Sequence, residues 1–417
     1  MRIGFIPVLS LLLISQQLQA QKACYTYLYQ QEAIQNDPSL QNKLENIETF
    51  TRQTISNSVG VSSRPDNLQI IIIPVVVHVL YHDAAQDVSD AVIMSQLDAL
   101  NRDFRRSNDD TINTPAVFRP VAADCEIEFK LAISDPKRRS TTGIIRKYTP
   151  ILQWETNDKM KLSSEMGDDA WDPKSYLNIW VCNMRNTAGY CSVLGGPEDK
   201  DGVVISYNAF GTIDARPGYE KGRTTVHEIG HWLNLKHIWG DADCGDDFVD
   251  DTPKQSTFTS GCPTGIKLSC GNAPNGNMYM NYMDYTNDAC MNMFTAGQKA
   301  RMRALFVVGG PRISLLSSTA LSTPLIFESP LPDEPPKWMH PEVYPDPATD
   351  ELNLDLAYDP RWIGKTISVV NLSGQIMMQL TISSRLQKID ISKLRPGLYI
   401  ISGDKDGEKL RQKFVKL

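Results

Sequence analysis

The chain has 417 residues, enough for two or three domains, and a hydrophobic fraction of 41%, ample for globular cores. Its formal net charge is −7 and it has no block of basic residues, which argues against nucleic acid as a partner.

The N-terminus, MRIGFIPVLSLLLISQQLQA, has an early arginine, an apolar stretch from Phe5 to Ile14 and a small residue at Ala20. This is the pattern of a secretory signal peptide over residues 1–20, and it predicts export through the periplasm to the medium or the cell surface. The stretch is too short for an anchor, no later segment reaches spanning length, and no membrane span is expected. Residues 21–63 are polar, with Leu40, Leu44, Ile47 and Phe50 at helical spacing after Asp37-Pro38. A segment this short folds only against a neighbour, as a pro-segment does. Export permits disulfides, and the chain has eight cysteines.

From Gln69 the pattern is that of an α/β domain, read here as residues 64–312. Ile70 to Tyr81 (IIIIPVVVHVLY) is a buried strand, and His78 within it is a packed core histidine. A helix follows with Ile93, Leu97, Leu100 and Phe104 on one face, then strand-like runs at 126–133, 176–182 and 202–206. Cys182 and Cys191 are close enough to pair across a hairpin, while Cys125 has no obvious partner.

Residues 227–237, HEIGHWLNLKH, hold three of the chain's six histidines. On a helix starting near Thr224, His227 and His231 share one face and can point two imidazoles at one ion. Glu228 sits one position round, beside the fourth coordination site. Three neutral nitrogens from His227, His231 and His237 plus an open position define a catalytic zinc, and Glu228 is then placed to take a proton from a nucleophilic water. His237 needs the chain to leave the helix first, and Asn234, a residue that tolerates the left-handed conformation, stands where that turn falls. Between Asp241 and Asp251 lie six aspartates in eleven residues, followed by Thr252-Pro253. Carboxylates among free carbonyls suit calcium, with Asp247, Asp250 and Thr252 as ligand candidates; the alternative is a solvated acidic loop. Forty-six residues past His237 comes Met283, within NYMDYT, and further on Thr295 caps a helix that ends at Gly309-Gly310-Pro311.

Together HEIGHWLNLKHIWGD and NYMDYTNDACMNMFTAGQ resemble the pappalysin family of metzincin metalloproteases, of the ulilysin and mirolysin type, over roughly residues 65–312. The resemblance implies a mixed five-stranded sheet with the zinc helix beneath it, and hydrolysis of protein or peptide substrates. Met283 matches the Met-turn below the metal, and Tyr285 would hydrogen-bond the oxyanion of the tetrahedral intermediate. The resemblance favours disulfides Cys244–Cys270 and Cys262–Cys290 and a structural calcium in the acidic stretch. It also implies preference for arginine just after the scissile bond, with Asp288 as the floor of that pocket. Cys24 is either a latency switch that ligates the zinc, as in several metzincins, or a disulfide partner, for Cys125 among others. Cleavage before arginine would make Ser63–Arg64 the activation bond, with Arg52 as an alternative. A catalytically silent surface-binding protein on the same scaffold is the rival reading, although Glu228 and all three histidines are kept.

Residues 313–341, with five prolines between Pro324 and Pro336, read as a linker. Beyond it, short alternating strands over 342–417 predict a small all-β sandwich. The segments YPDPATDELNL, VVNLSGQ, IDISKLRPGLYII and KFVKL resemble the C-terminal sorting domain of type IX secretion cargo, which makes that secretion machinery a partner. A carbohydrate-binding or adhesive sandwich has the same outline.

Overall fold

The computed structural model of the protein describes residues 22–59, 70–327, 341–356, 362–405 and 408–417. The signal peptide and the Ser63–Arg64 bond lie outside them. Strands β1 (Lys22–Cys24), β2 (Ile71–Tyr81), β3 (Ala122–Ala123), β4 (Ile127–Leu131), β5 (Ile144–Tyr148), β6 (Leu177–Cys182), β7 (Thr187–Cys191) and β8 (Val203–Ser206) precede the zinc helix. The helices are α1 (Thr26–Asn36), α2 (Ser39–Val59), α3 (Asp90–Phe104), α4 (Arg223–Trp232) and α5 (Ala296–Ala304).

The main sheet runs β1-β7-β8-β6-β2-β4, with β5 also on β2. Strand β4 pairs with Ile71–Val75 and β5 with Val77–Tyr81, so the two share one row and the catalytic body has five strand positions. The sixth, β1, comes from the N-terminal segment. Strand β2 is buried on both faces along nearly its whole length, which is why its β-branched run reads as continuous rather than alternating. Pairings are parallel except β7 with β8. Helix α3, capped by Ser89 accepting from the Val92 amide, lays Ile93, Leu97, Leu100 and Phe104 on the sheet. His78 is a core residue, stacked on Trp180 and bonded to Asp168 and Asn178.

Two expectations are corrected and one open pairing is decided. The N-terminal segment carries two helices; α1 has only a weak apolar stripe and holds its place by docking. Cys182 and Cys191 are both free, because β8 lies between their strands and they face opposite cores. The linker begins later than residue 313: Leu315 and Ala320 are buried, and the Ile133 and Leu325 amides bond to the Ala320 and Arg138 carbonyls.

After α4 the chain is loop-rich. Its short strands β9 (Ser260–Gly261) and β10 (Tyr285–Thr286) pair together, and β11 (Phe294–Thr295) pairs with β3. Cys244–Cys270 and Cys262–Cys290 tie this half. Thr295 starts α5 with a capping box to Gln298. The C-terminal region places β12 (Glu342–Tyr344), β13 (Glu351–Asp355) and β16 (Leu386–Asp390) in one sheet. A second sheet runs β15-β14-β17-β18, from β14 (Thr366–Asn371), β15 (Ile376–Thr381), β17 (Gly397–Lys405) and β18 (Glu408–Lys416). Leu352, Leu354, Trp362, Ile367, Val369, Ile401 and Phe414 fill the space between the sheets, giving the expected sandwich.

Candidate active site

Helix α4 carries the first two histidines and stops at Trp232. Asn234 takes φ 69°, the left-handed turn that frees the chain to bring His237 back. Each imidazole is oriented through Nδ1: His227 donates to the Tyr282 carbonyl (2.7 Å), His231 to the Leu235 carbonyl (2.9 Å), and His237 to Asp241 (2.5 Å). Carbonyl and carboxylate oxygens only accept, so the three Nε2 atoms present lone pairs. His231 Nε2 lies 3.1 Å from both of the others. Lone pairs facing at that spacing repel unless a cation sits among them. Tetrahedral zinc with Zn–N bonds of about 2.0–2.1 Å sets its nitrogens about 3.3 Å apart, so this cluster fits the ion. Burial first, and then the neighbouring imidazoles, hold His227 at about 3, and burial holds His237 there too, so both are neutral ligands at pH 7.

The N-terminal segment places a fourth candidate ligand beside the three imidazoles. The sulfur of Cys24 and the three histidine nitrogens all lie within 4.8 Å of one another. Cys24 is buried and free, so the disulfide with Cys125 is absent, and Cys125 is a separate buried thiol. Burial, followed by the Glu228 charge, pushes the Cys24 thiol well up, so a thiolate here needs a metal to hold it. Thr26, two residues on, donates from its hydroxyl to Glu228 Oε2 (2.7 Å) and accepts from the Cys191 amide (2.8 Å). Tyr285 donates to the Cys24 carbonyl at 3.4 Å. Strand β1 runs alongside β7, with Lys22 opposite Thr187 and Cys24 opposite Gly189.

Glu228 is wholly buried, its Oε1 has no partner, and burial pushes its carboxyl up to about 8. Room for it comes from Gly189, where a Cβ would lie 3.1 Å from Glu228 Cγ and 2.9 Å from the Val204 carbonyl. Met283 packs below the helix, its sulfur filling the space that a Cβ at Gly230 would need. The Tyr285 ring stands 4.9 Å from the His237 ring and 4.8 Å from Trp239, which itself stacks on His237.

A cavity beside the histidines is lined by Tyr219, Thr224, His227, Glu228, Asn287 and Asp288. Asp288 is buried, and its Oδ2 accepts from the Lys221 and Arg223 amides; burial pushes its pKa to about 6. Arg223 ties this wall to Asp103 and Asp110 and donates to the Asp288 carbonyl (2.6 Å). In the acidic stretch Asp247 and Thr252 are brought together (2.8 Å), whereas Asp250 is exposed. Burial pushes Asp247 to about 7.

Four residues at the site were not singled out from sequence: Thr26, Gly189, Arg223 and Asp241. Asp241 had a usable signal, four positions after His237, but it lay hidden among its neighbouring aspartates. Thr26, Gly189 and Arg223 depend on contacts distant in sequence and gave none.

Residues 161–307 match the family described as pregnancy-associated plasma protein-A, and residues 342–417 match the secretion system C-terminal sorting domain. An extracellular metalloprotease of Verticillium alfalfae is 32% identical over 246 residues, 56% of this chain and 76% of that protein. A promirolysin point mutant of Tannerella forsythia superposes with TM-score 0.66 at 42% identity, covering 72% of this chain and 98% of that one. Mature mirolysin from the same organism, in complex with a cleaved peptide, gives TM-score 0.59 at 47% identity over 60% and 97%. With the histidine cluster and buried glutamate already in place, these likenesses show that the chain belongs to the pregnancy-associated plasma protein-A family of metzincin metalloproteases, as a secreted zinc endopeptidase with a C-terminal sorting domain.

Proposed function

We propose that the protein is made as a latent precursor and, once matured, cleaves polypeptides at Xaa-Arg bonds. The observation that carries the reading is the convergence of His227, His231, His237 and Cys24 beside the buried Glu228. Zinc held by the three histidines would act as a Lewis acid on water and on the scissile carbonyl. Glu228 takes the proton of the attacking water and returns it to the leaving amine. Tyr285 donates to the oxyanion; in the precursor its hydroxyl faces the Cys24 carbonyl, a peptide oxygen beside the cluster. Latency follows from Cys24 filling the open coordination position and Thr26 occupying the carboxylate of Glu228.

Asp288 receives the arginine that follows the scissile bond. Its pocket opens beside Glu228, and a guanidinium paired with a buried carboxylate gains charge-assisted hydrogen bonds. The same preference makes Ser63–Arg64 the activation bond. Calcium is proposed at Asp247 and Thr252, since a buried carboxylate with a raised pKa gains from a cation. The sandwich domain is proposed to address the chain to the type IX secretion machinery after signal-peptide-directed passage to the periplasm.

Cleavage-site profiling of the mature enzyme with a proteome-derived peptide library tests the specificity. Arginine should dominate the position after the scissile bond, and an apolar preference there would reject the assignment. Chelation of zinc should abolish cleavage of every peptide.

A further inference from the structure

Tyr29 of α1 enters a pocket on the face of β7 opposite the zinc helix. Side chains alternate along a strand, so Gly189 and Cys191 face α4 and Tyr190 between them faces away. There the Tyr29 hydroxyl donates to Asp158 Oδ2 (2.5 Å) and the Tyr190 hydroxyl to Oδ1 (2.9 Å), with the two rings 5.0 Å apart. The Lys161 ammonium lies 2.9 Å from the Asp158 carboxylate and 5.0 Å from the Tyr190 ring centroid. Asp158, Lys161 and Tyr190 are all buried, and none belongs to the pro-segment. Met160 and Trp180 pack in the same cluster.

The chemistry of the pocket is specific. Asp158 already faces two ammonium groups, Lys161 at 2.9 Å and Lys200 at 3.7 Å, so its carboxylate suits a neutral donor better than a further cation. Tyr190 supplies an aromatic face for a ring. A phenol meets both demands, and Phe meets only the second. Loss of residues 22–59 removes the Tyr29 hydroxyl from Asp158 Oδ2 and leaves there only the longer contact to Lys200, so a buried acceptor loses its hydrogen bond until another donor replaces it.

The pocket also has a defined place along the cleft. Helix α4 begins at Arg223, bonded to Asp288, and ends at Trp232, whose indole donates to Asp201. Next to Asp201, the Gly202 carbonyl accepts from the Ser192 amide just past the end of β7. Lys161 donates to the Lys200 carbonyl at this same end. The Asp288 pocket therefore adjoins the first residue of the zinc helix, and the Asp158 pocket is linked through Lys161, Lys200 and Asp201 to its last.

We infer that the mature enzyme uses the Asp158–Tyr190 pocket as a specificity subsite for a substrate tyrosine on the amino-terminal side of the scissile bond. The choice of side rests on the proposed role of Asp288; the preference for a phenol does not. The pro-segment strand runs parallel to β7, so Tyr29 fills the pocket from a helix and shows what side chain it accepts rather than the path of a substrate backbone.

The test uses mature enzyme released from the full chain and peptides sharing one Xaa-Arg bond. Tyr, Phe, Leu or Arg is placed in turn at each position ahead of that bond. At one position Tyr should exceed Phe in kcat/KM by roughly ten-fold, the worth of one hydrogen bond to a charged group. Asp158→Ala should bring the Tyr/Phe ratio close to one, a ratio read within the variant and so independent of its overall rate. Should that variant fail to fold, the wild-type Tyr/Phe comparison still decides. Equal cutting of Tyr and Phe at every position would overturn the inference, as would a Tyr preference unmoved by Asp158→Ala. The arginine position is read separately in the same peptides, so a failure of the Asp288 assignment leaves the Tyr/Phe ratio interpretable.

Discussion

At the scale of single residues, each imidazole of the cluster is held by a different acceptor, two carbonyls and one carboxylate. Losing any one of these would free a ring to rotate without changing the donor set. Glu228 is buried with no salt-bridge partner among the described residues, an arrangement that costs stability and is typical of a functional carboxylate. Glu228→Ala should keep one zinc per chain by metal analysis and lose roughly 10²–10⁴-fold in kcat, as expected for removal of a general base. Near-normal turnover by that variant would sink the mechanism. Asp288 carries a second expectation, in pH. Burial raises its pKa to about 6, so the carboxylate is charged above that value and neutral below it. Selectivity for Arg over an apolar residue after the scissile bond should hold at pH 7–8 and fall as pH drops through about 6. Asp288→Ala should lower that selectivity by about 10- to 100-fold at pH 7, in line with the loss of a charge-assisted bond. Selectivity that stays flat across this range in the wild type would remove Asp288 from the pocket floor.

At the scale of elements, the pro-segment acts through two helices and one short strand. Strand β1 completes the sheet edge at β7, α1 seats Tyr29, and α2 lies along α5. In that last contact Arg301 is gripped by Glu48, and Asn234 donates to Thr51, so the turn that brings in His237 is itself covered. Three-residue β1 is too short to pair alone, and its position depends on the helices behind it. Cys24→Ala should therefore leave the segment docked yet weaken latency, because Thr26 still blocks Glu228 but the fourth ligand is gone. The measurement is the lag before activity appears in purified precursor, expected to shorten markedly. A lag unchanged from wild type would assign latency to the helices alone. The loop half is tied differently: with Cys244 and Cys270 separated by 26 positions, the cross-link contributes about 3.5 kcal/mol by limiting the unfolded chain.

At the scale of the whole molecule, the two largest hydrophobic cores serve different purposes. One, shared by the sheet, α3, α4 and the Met-containing segment, holds the site. The other fills the C-terminal sandwich and contains none of the residues assigned to catalysis. The catalytic body keeps residues 313–327 as part of itself, through Leu315, Ala320 and the bridge between Arg139 and Ile326. Removal of the tail should thus be tolerated beyond residue 327 and not at residue 312. A chain ending at 327 should match the kcat/KM of one retaining the sandwich, while a chain ending at 312 should lose thermal stability. Intact-mass measurement of secreted protein locates the natural end. Deleting residues 342–417 should leave the protease in the periplasm, and undiminished export would refute the sorting role.

The zinc ligands and general base were legible in the sequence because helical spacing alone brings His227, Glu228 and His231 to one place. Family motifs carried the expectation to Met283, Tyr285 and the two disulfides, and burial-period patterns to β2, α3 and the sandwich. Strand β7 escaped because Gly189 breaks its pattern, and that glycine exists for a contact with Glu228 that lies 39 positions away in the chain. Helix α1 escaped because its stability comes from docking and its own apolar stripe is weak. Cys24 was ambiguous in sequence, since a thiol can pair with sulfur or with metal, and only the fold shows that it is free and lies among three histidine nitrogens. The Asp158 pocket was invisible for the same reason. Asp158, Lys161, Tyr190 and Tyr29 share no periodicity, and a site made by long-range packing is written in the sequence only through the fold.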